Sequence, residues 1–215
     1  MTILKTLVLS LIFLNFGCIN QTKKQQPIGL YKFEKGGKMD EREFWNIVDY
    51  SFNVANGSEE TQIQVITQKL SDYTAEQIID FEMIFSKKLI DANDFKIIGA
   101  EKIIEGSVSD DSFLYFRCWL ISTGRKTFEK TLKSPDSLAD VIEKGTNTDL
   151  EEFLYISTNA YKIKTGKKIE DDTFPRDVVY KKGLNYDFGG PPTKGENWKD
   201  NELPKLYPKL WAKFN

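Results

Sequence analysis

Residues 113–121 read FLYFRCWLI and form the densest apolar run of the chain downstream of residue 40. Ser109-Asp110-Asp111 precedes the run and supplies the polar residues that favour a helix start. Gly124 follows it and fits the C-terminal cap of the same helix. Because this helix is apolar almost all round, we predict that it lies at the centre of a helical domain.

Upstream of this central helix, the sequence predicts four more helices. Each begins at a residue whose side chain can cap it, and three of the four then carry apolar residues at helical spacing. The predicted starts are Asp40, Ser58, Thr74 and Asp94, and the fourth helix runs to about Glu105 with Gly99 inside it.

Downstream, three further helices are predicted. A short helix covers Arg125 to Leu132, another begins at Ser134-Pro135 and ends near Gly145, and a long one runs from Thr148 to Gly166. Residues 167–199 contain Gly189-Gly190-Pro191-Pro192 and lack helical spacing, so we expect an irregular segment wrapped over the helices. Four aromatic residues are expected to hold it there, and a short strand is possible at residues 178–180. These aromatic residues are Phe174, Tyr180, Tyr186 and Phe188.

A last short helix is predicted from Asp200, with Trp211 and Phe214 docking on the core. The fold class is therefore all-α. We predict a single domain of about seven or eight helices over residues 39–215, helical to about residue 166 and closed by a terminal helix at 200–215.

The N-terminus predicts export. Residues 6–16 are mainly apolar, which is too short for a membrane span but typical of a signal-peptide core, and Gly17-Cys18 follows. Residues 14–18 resemble a bacterial lipobox, which would make 1–17 a signal peptide, Cys18 the lipidated residue and 18–38 a flexible tether at the cell envelope. An ordinary secretory signal or an uncleaved anchor, with Cys18 incidental, is the alternative.

Composition excludes several classes of site. The chain has no histidine, so a Ser-His-Asp triad, a Cys-His pair and a His-ligated metal are impossible within it. Without residues 1–17 it carries 29 basic and 32 acidic residues, which argues against a nucleic-acid partner. No cofactor motif is present, and we predict neither a cofactor nor a metal.

Three segments resemble a known family. They are residues 44–49 (FWNIVD), residues 109–125 with the central run, and residues 206–214 (LYPKLWAKF). Together they resemble the bacterial family called domain of unknown function 4240, which in some proteins sits beside a WGR domain, as in proteins similar to the molybdate metabolism regulator. The resemblance covers about residues 39–215 and implies a single helical domain. It implies no chemistry, and the export signal departs from relatives that are mostly cytoplasmic.

Arg117 is the leading candidate for a binding residue, because a charge inside an apolar run needs a partner or a route to water. It could pair with Asp110, Asp111 or Glu152. It could instead bind an anion in a pocket, together with Arg125, or extend to the solvent.

Asp110 and Asp111 could cap their helix and interact favourably with its start. They could alternatively serve as a general acid or base or bind a cation, with a remote Glu101 or Glu105 as partner. Trp119 is expected in the core and could otherwise contact a ligand. Cys118 is expected to be a buried apolar residue.

Two functions follow from these residues. The first is a non-enzymatic binding module, held at the envelope by lipid on Cys18 and able to contact another protein. The second is a hydrolase of an envelope polymer, which would use two carboxylates near Arg117.

Overall fold

Capping residues determine where the helices of the first half of the domain begin. The computed structural model describes residues 31–166 and 174–215. Asp40, Ser58, Thr74, Asp94 and Ser109 each accept a hydrogen bond from a backbone N–H in the first turn of the helix that follows. These helices are α1 (Glu41–Ala55), α2 (Glu59–Ser71), α3 (Ala75–Asp91), α4 (Phe95–Glu105) and α5 (Asp110–Ser122). The five predicted starts are confirmed.

Helix α5 is the centre of the domain, as predicted. It packs against α1, α3, α4, a further helix α6 (Arg125–Lys133) and a 3-10 helix at Glu151–Tyr155. Nine of its thirteen residues are buried, and Phe116, Cys118, Leu120 and Ile121 are at most 1% exposed. Thr123 caps α5, and Gly124 follows with φ 93°, a left-handed conformation that favours glycine.

The second half of the domain departs from the predicted helices. Residues from Pro135 form a 3-10 helix that ends at Asp140, well short of Gly145. Thr148 does not cap a long helix, because its hydroxyl donates to Glu105 Oε1 at 2.5 Å. The predicted helix to Gly166 is instead the 3-10 helix Glu151–Tyr155 followed by α7 (Ile156–Thr165).

The C-terminal part is irregular with short helices. The strand considered at residues 178–180 is wrong: the backbone there is helix α8 (Arg176–Tyr180), which packs on α3 and buries Val179. The predicted terminal helix is divided into a 3-10 helix (Asp200–Glu202), α9 (Leu203–Leu206) and α10 (Pro208–Phe214). The break lies at Pro208, which cannot donate a backbone hydrogen bond to α9.

Residues 184–199 lie across α3 and α4, as predicted for the wrapped segment. Lys194 exchanges backbone hydrogen bonds with Asn93 and Phe95, and Trp198 Nε1 donates to the Phe95 carbonyl at 2.8 Å. Tyr186 is buried beside Phe85. Phe188, by contrast, is 86% exposed, so the prediction that it holds the segment down is wrong.

All regular structure in the described ranges is helical, apart from one isolated bridge between Asp94 and Lys194. Eight of the α-helices in these ranges, α1–α7 and α10, have seven or more residues. The prediction of an all-α single domain is confirmed. No helix among these residues has the length and apolar character needed to cross a membrane. The predictions for residues 1–30 and 167–173 concern residues outside the described ranges.

Residues 31–38 fall in the part of the chain predicted to be tether, yet they contact the domain. The Gln77 side chain donates to the carbonyls of Glu34 and Gly36, both at 3.3 Å, and accepts from the Gly36 N–H. Lys69 Nζ lies 3.8 Å from the centre of the Phe33 ring. Among the described residues, contact with the domain therefore begins before the predicted domain start at residue 39.

Candidate functional site

Arg117 is buried, and its partners are backbone carbonyls. It is 5% exposed, and NH1 donates to the Leu89 carbonyl at 3.0 Å, while NH2 donates to the Tyr186 carbonyl at 3.4 Å. The guanidinium also lies 4.7 Å from the centre of the Phe113 ring. Because burial disfavours the charged form, the pKa of Arg117 is lowered.

This arrangement corrects the prediction of an ion pair. Among the described residues no carboxylate lies within 4.0 Å of Arg117, and the proposed partners Asp110, Asp111 and Glu152 are all described. Leu89 is in the last turn of α3, where carbonyls lack helical partners and a cation is favourable. Arg117 therefore closes the end of α3 and fixes residue 186 against it. It does not share a site with Arg125, which is exposed on α6.

Asp110 and Asp111 are exposed in the first turn of α5. The cap itself is made by Ser109 and Ser112, whose side chains each accept a hydrogen bond from the other's backbone N–H. Neither aspartate lines either of the two surface cavities described below. The negative charges suit the start of the helix.

The tryptophan and cysteine of the central run are core residues. Trp119 is 7% exposed and packs against Phe116, with ring centres 5.3 Å apart. Cys118 is fully buried, and burial raises the pKa of its thiol. The expectation of a core role is confirmed for both. Among the described residues, no group of three or more Cys, Asp or Glu side chains is arranged to hold a metal ion.

Glu82 and Glu101 are two buried acids whose burial the sequence did not predict. Glu82 is 1% exposed, and burial raises its pKa to about 7 although the charge of Arg176 opposes that shift. Burial likewise raises the pKa of Glu101 to about 7, against a 2.8 Å hydrogen bond from the Ser112 hydroxyl. The signal for Glu82 was available, because it falls between Phe81 and Phe85 on the apolar face of α3.

We predict that Glu82 makes stability depend on pH. Because the folded-state pKa lies near 7 and the ordinary value is 4.5, the native state holds a proton that the unfolded state loses across this window. The free energy of unfolding therefore falls as pH rises from about 4.5 to about 7. At pH 8, Glu82→Gln should be more stable than the wild type by about 3 kcal/mol, and at pH 4.5 the two should be nearly equal.

Urea denaturation at the two pH values measures this difference. Glu76→Gln, an exposed residue of the same helix, is the matched control and should keep the wild-type pH profile. Glu101 also contributes to the dependence of the free energy of unfolding on pH, and that contribution should remain in the Glu82→Gln variant. An unchanged difference between pH 4.5 and pH 8 in Glu82→Gln would contradict the assignment.

A basic surface on α6 is the candidate binding site that is exposed to solvent. It is formed by Arg125, Lys126, Lys130 and Lys133. With Asp49 and Glu129 these residues line an open cavity of about 410 Å³. Arg125 Nε lies 2.7 Å from Glu129 Oε1, and Lys130 Nζ lies 2.8 Å from Asp140 Oδ2. Lys126 and Lys133 have no carboxylate within 4.0 Å among the described residues. We call these six cavity-lining residues the α6 surface.

Asp49 joins the α6 surface to α1. Gly124 at the start of α6 has no side chain to cap the helix, and the Asp49 carboxylate accepts the Arg125 N–H at 2.8 Å instead. Burial raises the pKa of Asp49, while this backbone hydrogen bond opposes the rise. A Cβ at residue 124 would collide with the same carboxylate, so the glycine makes the contact possible.

The α6 surface lies beside the point where the chain enters the domain. The side chain of Asn53, one turn after Asp49 in α1, contacts the Tyr31 hydroxyl and the Asp49 carbonyl. Burial, and then the charge of Asp49, raise the pKa of the Tyr31 hydroxyl. A second cavity, of about 360 Å³, lies further along the entering chain and is lined by Lys38, Met39, Asp40, Glu41, Ile84, Lys87 and Lys88.

A family model described as Protein of unknown function (DUF4240) matches residues 39–163. The chain belongs to this family. The match contains the first two of the three segments that carry the resemblance, and the closing segment at 206–214 lies beyond it. In this DUF4240 protein, α1 to α6 and most of α7 fall within the matched range. No curated protein and no solved structure matches the chain.

Proposed function

We propose that this DUF4240 protein is an exported lipoprotein whose helical domain is a non-enzymatic binding module at the cell envelope. The observation that carries the proposal is the N-terminal sequence. A short apolar run ends at Gly17-Cys18, and only twelve residues, 19–30, separate Cys18 from Tyr31, which contacts the domain. Lipid on Cys18 would hold the domain close to a membrane.

The contacts of residues 31–38 support this arrangement. Glu43 accepts the Glu34 N–H at 2.8 Å and the Tyr73 hydroxyl proton, and the Met39 N–H donates to Asp80. These hydrogen bonds attach the entering chain to both α1 and α3. On this proposal, the anchored chain reaches the domain on the side of α1 and α3.

The exposed residues favour binding over hydrolysis. A carboxylate hydrolase needs two acids facing one cleft, about 5–10 Å apart. Asp110 and Asp111 are exposed at a helix start, and Arg117 is enclosed by Leu89 and Tyr186. Among the described residues, Asp110 and Asp111 therefore do not face a cleft with Arg117, as the hydrolase alternative requires.

Lipidation is tested by expressing the full chain in a bacterium with radiolabelled palmitate. We expect label on the wild type, recovery in the membrane fraction and a mass consistent with cleavage before Cys18. Cys18→Ser should lose the label and the membrane association. Cys118→Ala is the control and should keep both, because its thiol is buried in the core. A full-length, unlabelled wild type in the soluble fraction would overturn the proposal.

The non-enzymatic role has its own test. The purified mature chain is incubated with peptidoglycan and envelope polysaccharide, and new reducing ends are measured. We expect none above the level of the Asp110→Asn, Asp111→Asn double variant. Release by the wild type that this double variant lacks would establish the hydrolase instead.

A further inference from the structure

The α6 surface concentrates positive charge on a chain that is net acidic. The helix has four cations and one acid in nine residues, whereas the whole chain has a formal charge of −2. Lys126, Lys130 and Lys133 have the i, i+4, i+7 spacing that places side chains on one helix face. All three are exposed, and Lys126 and Lys133 have no ion-pair partner among the described residues. Such a face attracts a polyanion.

The α6 surface lies close to the part of the chain that leads to the proposed lipid anchor, so the polyanion nearest to it is the membrane surface. Tyr31 contacts Asn53, and Asp49 lies within the α6 surface itself. Even if it were fully extended, the chain between Cys18 and Tyr31 could span only about 45 Å. A lipid on Cys18 therefore keeps the α6 surface within a few tens of ångströms of the membrane.

We propose that the α6 surface binds the anionic phospholipid headgroups of the membrane that holds the anchor. This inference rests on the proposed lipidation of Cys18. Lysine ammonium groups interact with headgroup phosphates as point charges, and a cluster of cations beside a membrane anchor adds to the binding of a single lipid. The contact turns the domain so that α6 faces the bilayer, and α7 and α8, which pack mainly on α2 and α3, are not part of the contact.

The test couples the mature chain, residues 18–215, to vesicles through its Cys18 thiol and a maleimide lipid. Cys118 is fully buried, so coupling is confined to Cys18. The vesicles contain phosphatidylcholine alone or mixed with phosphatidylglycerol, and lysine acetylation is measured by mass spectrometry. We expect Lys126, Lys130 and Lys133 to be protected several-fold on the anionic vesicles only, and high salt to abolish the protection. Lys164 and Lys181 should react equally on both.

A pair of triple variants tests the same inference without coupling. Lys126→Gln, Lys130→Gln, Lys133→Gln should weaken co-sedimentation of the uncoupled chain with phosphatidylglycerol vesicles by roughly tenfold or more, since each cation near an anionic surface contributes. Lys164→Gln, Lys181→Gln, Lys182→Gln removes three exposed cations from α7 and from the turn after α8, and should change binding less than twofold. Glutamine keeps helix propensity close to that of lysine, so both variants should fold.

Equal acetylation on neutral and anionic vesicles, or equal losses in the two triple variants, would overturn the inference. Protection that appears only when an acidic protein or a nucleic acid is added would also overturn it and assign the α6 surface to that partner. Chemical coupling makes these results independent of processing in the cell. An unlabelled chain in the palmitate experiment defeats the proposed function, while the vesicle results alone decide whether α6 binds anionic lipid.

Discussion

Replacing Arg117 with methionine is expected to lower the free energy of unfolding by about 3 kcal/mol. Methionine fills a similar volume, so the loss comes from polar groups rather than from a cavity. The Leu89 and Tyr186 carbonyls would lose their donor inside the domain, and an unpaired buried carbonyl costs about 1–3 kcal/mol. The end of α3 would also lose a favourable cation.

Urea denaturation at pH 7 measures the change. Arg125→Met is the matched control, because Arg125 is exposed and its ion pair with Glu129 should contribute at most about 1 kcal/mol. Arg117→Lys should fall between the wild type and Arg117→Met, since one ammonium cannot reproduce the planar set of guanidinium donors. Hydrogen exchange of residues 184–190 should rise in Arg117→Met. Equal losses for Arg117→Met and Arg125→Met would show that the carbonyl contacts do not stabilise the fold.

Gly99→Ala is expected to destabilise the domain by about 2–3 kcal/mol, although alanine is the better helix former by about 1 kcal/mol. A Cβ at residue 99 would lie 2.5 Å from the Tyr207 hydroxyl oxygen and 2.9 Å from Trp198 Nε1. Tyr207 donates to the Lys96 carbonyl and Trp198 to the Phe95 carbonyl, and the methyl group would displace both. These hydrogen bonds attach residues 198–207 to α4.

A double-mutant cycle separates the collision from other effects. In a Tyr207→Ala background the nearest colliding atoms are absent, so adding Gly99→Ala should cost much less than it does in the wild type. Thermal or urea denaturation of the four proteins gives the coupling. A Gly99→Ala protein that is about 1 kcal/mol more stable than the wild type would mean that helix propensity alone decides the outcome.

Arg117 and Gly99 illustrate where prediction from the sequence stopped. The sequence identified both as unusual, a charge in an apolar run and a glycine within a helix. It did not provide their partners, because neither the backbone carbonyls that Arg117 contacts nor the distant Tyr207 side chain beside Gly99 can be identified from the local sequence. Residues 89 and 186 come close to Arg117, and residue 207 comes close to Gly99, only after α3, α4 and the C-terminal segment have packed. The predicted partners of Arg117, namely Asp110, Asp111 and Glu152, follow from residue type, which does not determine distance in space.

The sequence alone determined the burial of α5 and five helix starts, because the interactions responsible join residues that are close in the chain. These starts are Asp40, Ser58, Thr74, Asp94 and Ser109. A capping hydrogen bond joins residues two or three apart, and apolar spacing along a helix is read from the chain directly. Only the tertiary structure decided where the helices of residues 134–166 break, how residues 31–38 attach, and that the α6 surface lies beside Tyr31. These features depend on contacts between distant residues, such as Asp49 with Arg125 and Thr148 with Glu105, whose energies exist only once the helices have packed.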